Sequence, residues 1–331
     1  MRLYRLKRRE FITLLSGAAA GWLLPLSAQE ASKVHRIGFL RFGSASGYAG
    51  RVEALRAGLR QLGYVEGKNI VIEFRWAETV DQLPELAVEL VRMNVDVIFA
   101  MSSTEVEAVR QVTKTIPIVF ATHADPVGLG HVASLSRPGG NITGLTTLLS
   151  DLAPKELEIL KEVVPNATRI GVLYSLTAPS HRPALEAIET AGQKLGVPLR
   201  LVPVRTAEDL DEAFAMMVRE RVGACYVVSA PIFGSHRARL AELALKHRLP
   251  ATFGNRENVE AGGLMSYSAD FNDMMRRAAI YIDKILKGVK PADLPVEQAS
   301  KYELIINLKT AKAIGLTLSE AFLLRADKVI E

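Results

Sequence analysis

Cysteine is nearly absent: Cys225 is alone in 331 residues, so no disulfide can form within the chain. It lies in the apolar run Gly223-Ala224-Cys225-Tyr226-Val227-Val228, which reads as a buried strand, so an inert packing role is expected. Histidine is sparse too. His35, His123, His131, His181, His236 and His247 show no His-x-x-x-His or carboxylate spacing of the kind that builds a zinc site, and no metal or cofactor is expected. No Gly-x-Ser-x-Gly elbow occurs, and Gly43-Ser44-Ala45-Ser46-Gly47 lacks the Gly-Lys-Ser/Thr ending of a phosphate loop. Nothing in the sequence pairs a nucleophile with a base, so an enzyme is not expected.

The first thirty residues carry a distinct signal. Arg8-Arg9-Glu10-Phe11-Ile12 precedes an apolar run from Phe11 to Leu26 that ends at Ser27-Ala28. A basic start, a short apolar run and a small-residue exit describe a secretory peptide, and paired arginines point to twin-arginine export. The run falls short of the ~20 residues that cross a bilayer and holds Trp22 and Pro25. A signal over 1–28, cleaved after Ala28, is expected. With no cysteine at the cut, the mature chain is expected to be periplasmic, soluble and not lipidated. That segment holds Arg2, Arg5, Lys7, Arg8 and Arg9 against Glu10, so most of the formal charge of +5 belongs to it. A nearly neutral remainder excludes a nucleic-acid partner, which needs clustered Lys and Arg.

About 300 remaining residues suit two domains. Apolar β-rich runs alternate with helical patterns: Val34–Leu40, Arg51–Leu62, Ile70–Phe74, Leu83–Met93, Val95–Ala100, Glu105–Thr113 and Ile116–Phe120. Nearly continuous Val/Ile/Phe strands between helices indicate a parallel sheet covered on both faces. The pattern restarts at Arg169-Ile170-Gly171-Val172-Leu173-Tyr174 and runs to Phe253. The turn-rich Ser136–Gly144 is read as the joint. Near the end, Gly263–Tyr267 reads as a strand, Phe271–Lys287 as a helix and Leu294–Leu308 as two short β-like runs. The fold class is α/β: two doubly wound parallel-sheet lobes joined by a multi-crossover hinge, with 34–146 plus 270–290 in one lobe and 147–269 plus 291–331 in the other.

In open α/β sheets, ligands sit beyond the carboxyl ends of the strands, where helix N-termini present unpaired N–H groups. The candidate ligand residues are therefore read from the strand ends. Ser44 and Ser46 follow the first strand. Ser102, Ser103 and Thr104 follow the third at a helix start, where one hydroxyl caps the helix and the others stay free for a carboxylate. Thr122 and Asp125 follow the fourth, and Asp125 before Pro126 is equally a turn and helix-entry residue. In the second half the strand ends place Tyr174, Ser229, Phe253, Tyr267 and Asp270. Phe253 reads either as a cleft wall or as core, and Asp270 either as the partner of an ammonium group or as a helix cap.

Several stretches resemble a known family. Arg8–Ile12, Asp125-Pro126-Val127-Gly128-Leu129-Gly130, Arg137–Gly144, Gly262–Tyr267 and Ile305–Ala311 are similar to the ABC-transporter substrate-binding proteins of the tryptophan/tyrosine-binding type. The resemblance implies a periplasmic-binding-protein-like type I fold, a small ligand between the lobes, and delivery to a membrane permease with its ATPase. It also matches the hydroxyls at 102–104 and Tyr267 to pocket-forming positions, and Asp270 to an acid of relatives. Tyr174–Pro179 departs from the Asn-Pro turn usual there, and His123 replaces a smaller polar residue.

The expected function is that of an extracytoplasmic solute-binding protein of an ABC import system, a monomer that takes an amino-acid-like or aromatic carboxylate. The alternative is an extracytoplasmic sensor that signals to a membrane receptor without transport. A sugar-responsive repressor core is excluded by the export signal and by the missing helix-turn-helix.

Overall fold

The computed structural model describes residues 33–331; the expected export signal lies outside them. Among the described residues no helix is long and apolar enough to cross a membrane.

The first lobe is a six-stranded parallel sheet. Its strands are β1 (His35–Phe42), β2 (Ile70–Ala77), β3 (Val97–Ala100), β4 (Ile118–His123), β5 (Ile142–Thr146) and a late addition at Glu297–Gln298. The order from one edge is Glu297–Gln298, β5, β4, β3, β1, β2. Helices α1 (Ala49–Gln61), α2 (Leu83–Arg92) and α3 (Ser103–Val112) connect them. Phe39 of β1 anchors one side of the core. It is fully buried, and its ring centroid lies 5.0, 5.4 and 5.3 Å from those of Phe74, Trp76 and Phe99. Burying one such ring stabilises by about 2–3 kcal/mol.

The second lobe has seven strands. They are β6 (Ile170–Ser175), β7 (Leu199–Val204), β8 (Ala224–Val227), β9 (Ala251–Phe253), β10 (Met265–Ala269) and, after the Glu297–Gln298 strand counted as β11, β12 (Tyr302–Asn307) and β13 (Lys328–Ile330). All its pairings are parallel except β10 with β12. Helices α4 (Leu149–Val163), α5 (His181–Lys194) and α6 (Asp209–Arg219) cover it, with α7 (Pro231–Ser235), α8 (Arg237–Lys246) and α9 (Arg256–Glu260) following β8 and β9. Cys225 is buried in β8, and burial pushes its thiol up to about 12, which leaves it inert.

Two readings of the sequence change. The turn-rich joint contains strand β5, because Ile142, Thr143 and Thr146 favour extended backbone. Gly144 is there for close approach: at φ +148° a Cβ would stand 2.0 Å from the Phe120 carbonyl oxygen of β4. The helix that follows, α4, was not anticipated. Helix α10 (Phe271–Leu286) packs on the first lobe against α1, and the chain then stays there through β11, whose Glu297 and Gln298 pair with Leu145 and Thr146. Residues 291–298 were expected in the second lobe. The edge of β5 offered unpaired backbone groups and captured them instead. The chain passes between sheets after Thr146, after Ala269 and between Gln298 and Tyr302.

Candidate ligand-binding cleft

The carboxyl ends of both sheets face one cleft. From the first lobe it is lined by Arg41, Tyr48, Arg51, Ser102, Ser103, Thr104 and Thr122, and from the second by Ser180, Ser229, Pro231 and Asn255. It encloses about 580 Å3 of empty space, solvent at its mouth included. Only about 60 Å3 of this admits water, so the interior is narrow.

The lobes touch across this cleft. Arg51 on α1 donates from Nε and Nη2 to the two carboxylate oxygens of Glu257 on α9, both at 2.9 Å, and reaches Asn255 Oδ1 at 3.3 Å. The Tyr48 hydroxyl donates to the Pro231 carbonyl at 3.4 Å, and Arg237 Nη1 to the Gly47 carbonyl at 3.3 Å.

On the first lobe, Ser102 caps α3 and Glu105 completes the capping box, its Oε2 accepting the Ser102 N–H at 2.9 Å. Glu105 also accepts Arg41 Nη1 at 2.6 Å and the Phe42 N–H at 3.1 Å, so one fully buried carboxylate ties the end of β1 to the start of α3. The Arg41 guanidinium lies 4.1 Å over the Tyr48 ring and donates to the Tyr48 hydroxyl.

Ser103 begins a buried relay. Its Oγ accepts the Ala124 N–H at 2.9 Å and donates to His123 Nδ1 at 3.2 Å. His123 Nδ1 also accepts the Asp125 N–H, which makes its Nε2 the donor to His131 Nδ1 at 2.6 Å. His131 Nε2 then donates to Glu107 Oε2 at 2.7 Å, back on α3. Burial opposes the Glu107 charge, but hydrogen bonds from Arg110 and His131 win and bring it to about 2. Burial lowers His131 and, joined by the neighbouring His131 charge, holds His123 well below the usual imidazole value.

The fold therefore makes a Ser–His contact that spacing did not reveal. The relay's hydrogen bonds run from Ser103 and Glu107 on α3 to His123 on β4 and to the residues that follow it, so the relay positions α3 against β4. His181 at the start of α5 behaves alike. Its Nδ1 accepts the Ser175 N–H at 2.9 Å, its Nε2 donates to the Ser229 carbonyl at 3.0 Å, and burial lowers it to about 4. These folded values lie below the unfolded one, so stability is intact above about pH 6.5 and is lost as pH falls toward 4. Imidazole nitrogen spectra recorded at pH 5 should show His123 and His181 as neutral Nε2–H tautomers; a charged ring at either position overturns the assignment.

Of the residues read from the sequence, Ser102, Ser103, Thr104, Thr122 and Ser229 line the cleft. Their hydroxyls divide by availability. Ser102 is held by Glu105, Ser103 by the relay and Thr122 by the Met101 carbonyl. Thr104 and Ser229 keep side-chain hydroxyls with no hydrogen-bond partner among the described residues, as does Ser180.

The remaining residues fall elsewhere. Ser44 and Ser46 bond to each other at the surface. Asp125 accepts the Gly128 N–H at 2.8 Å as a turn residue, and Asp270 caps α10 by accepting the Asp273 N–H at 2.9 Å. Phe253 is fully buried core, Tyr174 packs 6.4 Å from His181, and Tyr267 stacks on Tyr302. None of these seven lines the cleft.

Arg41, Tyr48 and Asn255 stand in strand-end stretches but were not chosen as ligand residues, and Arg51 and Ser180 were not considered. The signal for Arg41 was present: a single charge inside Ile37-Gly38-Phe39-Leu40-Arg41-Phe42, at the carboxyl end of a central strand, has to find a buried partner.

Comparison with known proteins agrees with this geometry. The chain is 27% identical over 259 residues to the tyrosine-binding protein of Clostridioides difficile, an alignment covering 78% of this chain and 74% of that protein. It is 27% identical to an ABC domain from Streptococcus pneumoniae solved in complex with L-Trp, with a TM-score of 0.83 over 89% of this chain and 99% of that one. A conserved domain protein from Vibrio cholerae superposes with a TM-score of 0.84 and 27% identity over 90% of this chain and all of the other. The profile of the ABC transporter substrate binding proteins matches residues 36–330, and the chain belongs to that family.

Proposed function

We propose that this chain is the extracytoplasmic receptor of an ABC import system. It closes on a small amino-acid-like or aromatic carboxylate, releases it to a membrane permease driven by its ATPase, and leaves the solute's bonds unchanged. The observation that carries this reading is the set of unpartnered hydroxyls, Thr104 from one lobe and Ser180 and Ser229 from the other, that face a single cavity. A solute bridging them binds both lobes only when they are together, so binding shifts the population toward the closed form. The tyrosine-binding and L-Trp-bound relatives support an amino-acid-like solute. The export signal read in residues 1–28 supports the location.

The test is a thermal-shift screen of residues 29–331 against amino acids, aromatic acids and nucleosides. A solute present at 100 times its dissociation constant adds about 2.7 kcal/mol. For the solute found, Thr104→Val and Ser229→Ala should each weaken binding by about tenfold, the worth of a hydrogen bond to a charged group. Asp270→Asn, at the N-cap of α10 and outside the cleft lining, should leave affinity unchanged. Conversion of the solute, seen by chromatography after prolonged incubation, would sink the receptor reading.

A further inference from the structure

Resting on the receptor reading, we propose that the solute is a small carboxylate anion with no ammonium group. The inner cavity has no Asp or Glu in its lining among the described residues, whereas the adjoining cavity between the same lobes, which shares Thr104, Ala178 and Pro231 with it, carries Glu78, Asp81 and Glu208 at its wall. Two carboxylates lie close behind the lining, and both are spoken for. Glu105 is held by Arg41 and Glu257 by both arms of Arg51. With each guanidinium paired to its carboxylate, an ammonium group entering the inner cavity would have only hydroxyls, carbonyls and the Asn255 amide to hold it, a poor exchange for water.

The same features suit an anion. Arg41 is only 2% exposed, and its Nε–H has no partner. The N-terminus of α3, at Ser102 and Ser103, and that of α5, at Ser180, open on the cleft from opposite lobes, so both helix dipoles favour negative charge there. Each of the two aromatic rings of the lining carries a guanidinium on one face. Tyr48 lies under Arg41 at 4.1 Å and Phe271 under Arg51 at 4.5 Å. Their role is to hold the guanidinium planes, so the solute need not be aromatic, and the narrow interior favours a small one.

Matched pairs test this by calorimetry on the full mature chain: leucine against 4-methylpentanoate, tyrosine against 3-(4-hydroxyphenyl)propionate, and glutamate against glutarate. The expected result is that at least one desamino acid binds and that it does so at least tenfold more tightly than its amino-acid partner. Arg41→Gln should then weaken it by a hundredfold or more. Because that change strands Glu105, the double variant Arg41→Gln/Glu105→Gln, which keeps the site neutral, must show the same loss. An amino acid binding as well as or better than its desamino partner overturns the anion inference and leaves the receptor reading standing. The same inference falls if no desamino acid binds, or if the double variant retains full affinity. Consumption of a bound acid overturns the receptor reading instead.

Discussion

At pH 8 the Glu156→Gln variant is expected to be more stable than the parent chain by about 4 kcal/mol, while at pH 4 the two should unfold alike. Glu156 lies on α4 and is 1% exposed, and its carboxyl receives the hydroxyl of Tyr226 from β8. Burial pushes this carboxyl up to about 8, with the Tyr226 hydrogen bond opposing the shift. The folded value lies above the unfolded one, so the stability associated with the acid is fully present below about pH 4.5 and is lost as pH rises through 8. In that window the unfolded chain releases a proton that the folded chain retains, which costs about 1.4 kcal/mol for each unit of pH.

Glutamine keeps an oxygen for the Tyr226 hydroxyl and has no proton to lose. Urea titrations followed by circular dichroism at several pH values would read the difference directly. Because all other titrating groups are common to both chains, only Glu156 can produce a gap that widens with pH. Parallel curves from pH 4 to 8 would mean that the carboxyl is ionised inside the second lobe, and the neutral-acid assignment would fail.

The general plan of the fold was legible because parallel strands buried on both faces read as nearly continuous apolar runs, as β3, β6 and β8 do and as β1 does but for Arg41 and its first two residues. The errors come from features in which position overrides composition. Ile142–Thr146 was hidden by its turn-forming neighbours and by Gly144, whose value lies in what its missing side chain lets β4 do. Glu297–Gln298 is polar and two residues long, and only the open edge of β5 makes it a strand.

At the cleft, the strand-end rule located Ser102, Ser103, Thr104, Thr122 and Ser229, since these follow directly from where strands stop. It could not separate Asp125 and Asp270, which cap, from residues that face the solute, since an N-cap and a ligand contact occupy the same short stretch of chain. Nor could it find Arg51, which meets Glu257 from 206 positions away in sequence. Such a pair exists only once the lobes are together.

That pair sets the second large expectation: Glu257→Gln should weaken solute binding by about thirtyfold while leaving the stability of each lobe nearly unchanged. Arg51 is 8% exposed and has two hydrogen bonds to Glu257. Burial raises Glu257, but the Arg51 charge and hydrogen bonds outweigh it and hold the carboxyl below its ordinary value, so the pair survives mild acid. The pair joins the lobes, so parting them returns both charges to water, and a loss of one partner falls on closure alone. Removing one partner from a fully buried pair costs 3–5 kcal/mol. With the Glu257 side chain 25% exposed, the cost is discounted to about 2 kcal/mol, close to thirtyfold in affinity. The apparent affinity falls by that factor because the competent closed state becomes rarer, even though Glu257 itself does not line the cleft.

Calorimetry with the solute found in the screen gives the affinity, and small-angle scattering of the unliganded chain should show a more extended particle in the variant. A double-mutant cycle with Arg51→Gln supplies the decisive readout. If the two residues act through each other, the second substitution adds little to the first. Additive losses would mean that Glu257 acts through some other contact and that the bridge does not hold the lobes together.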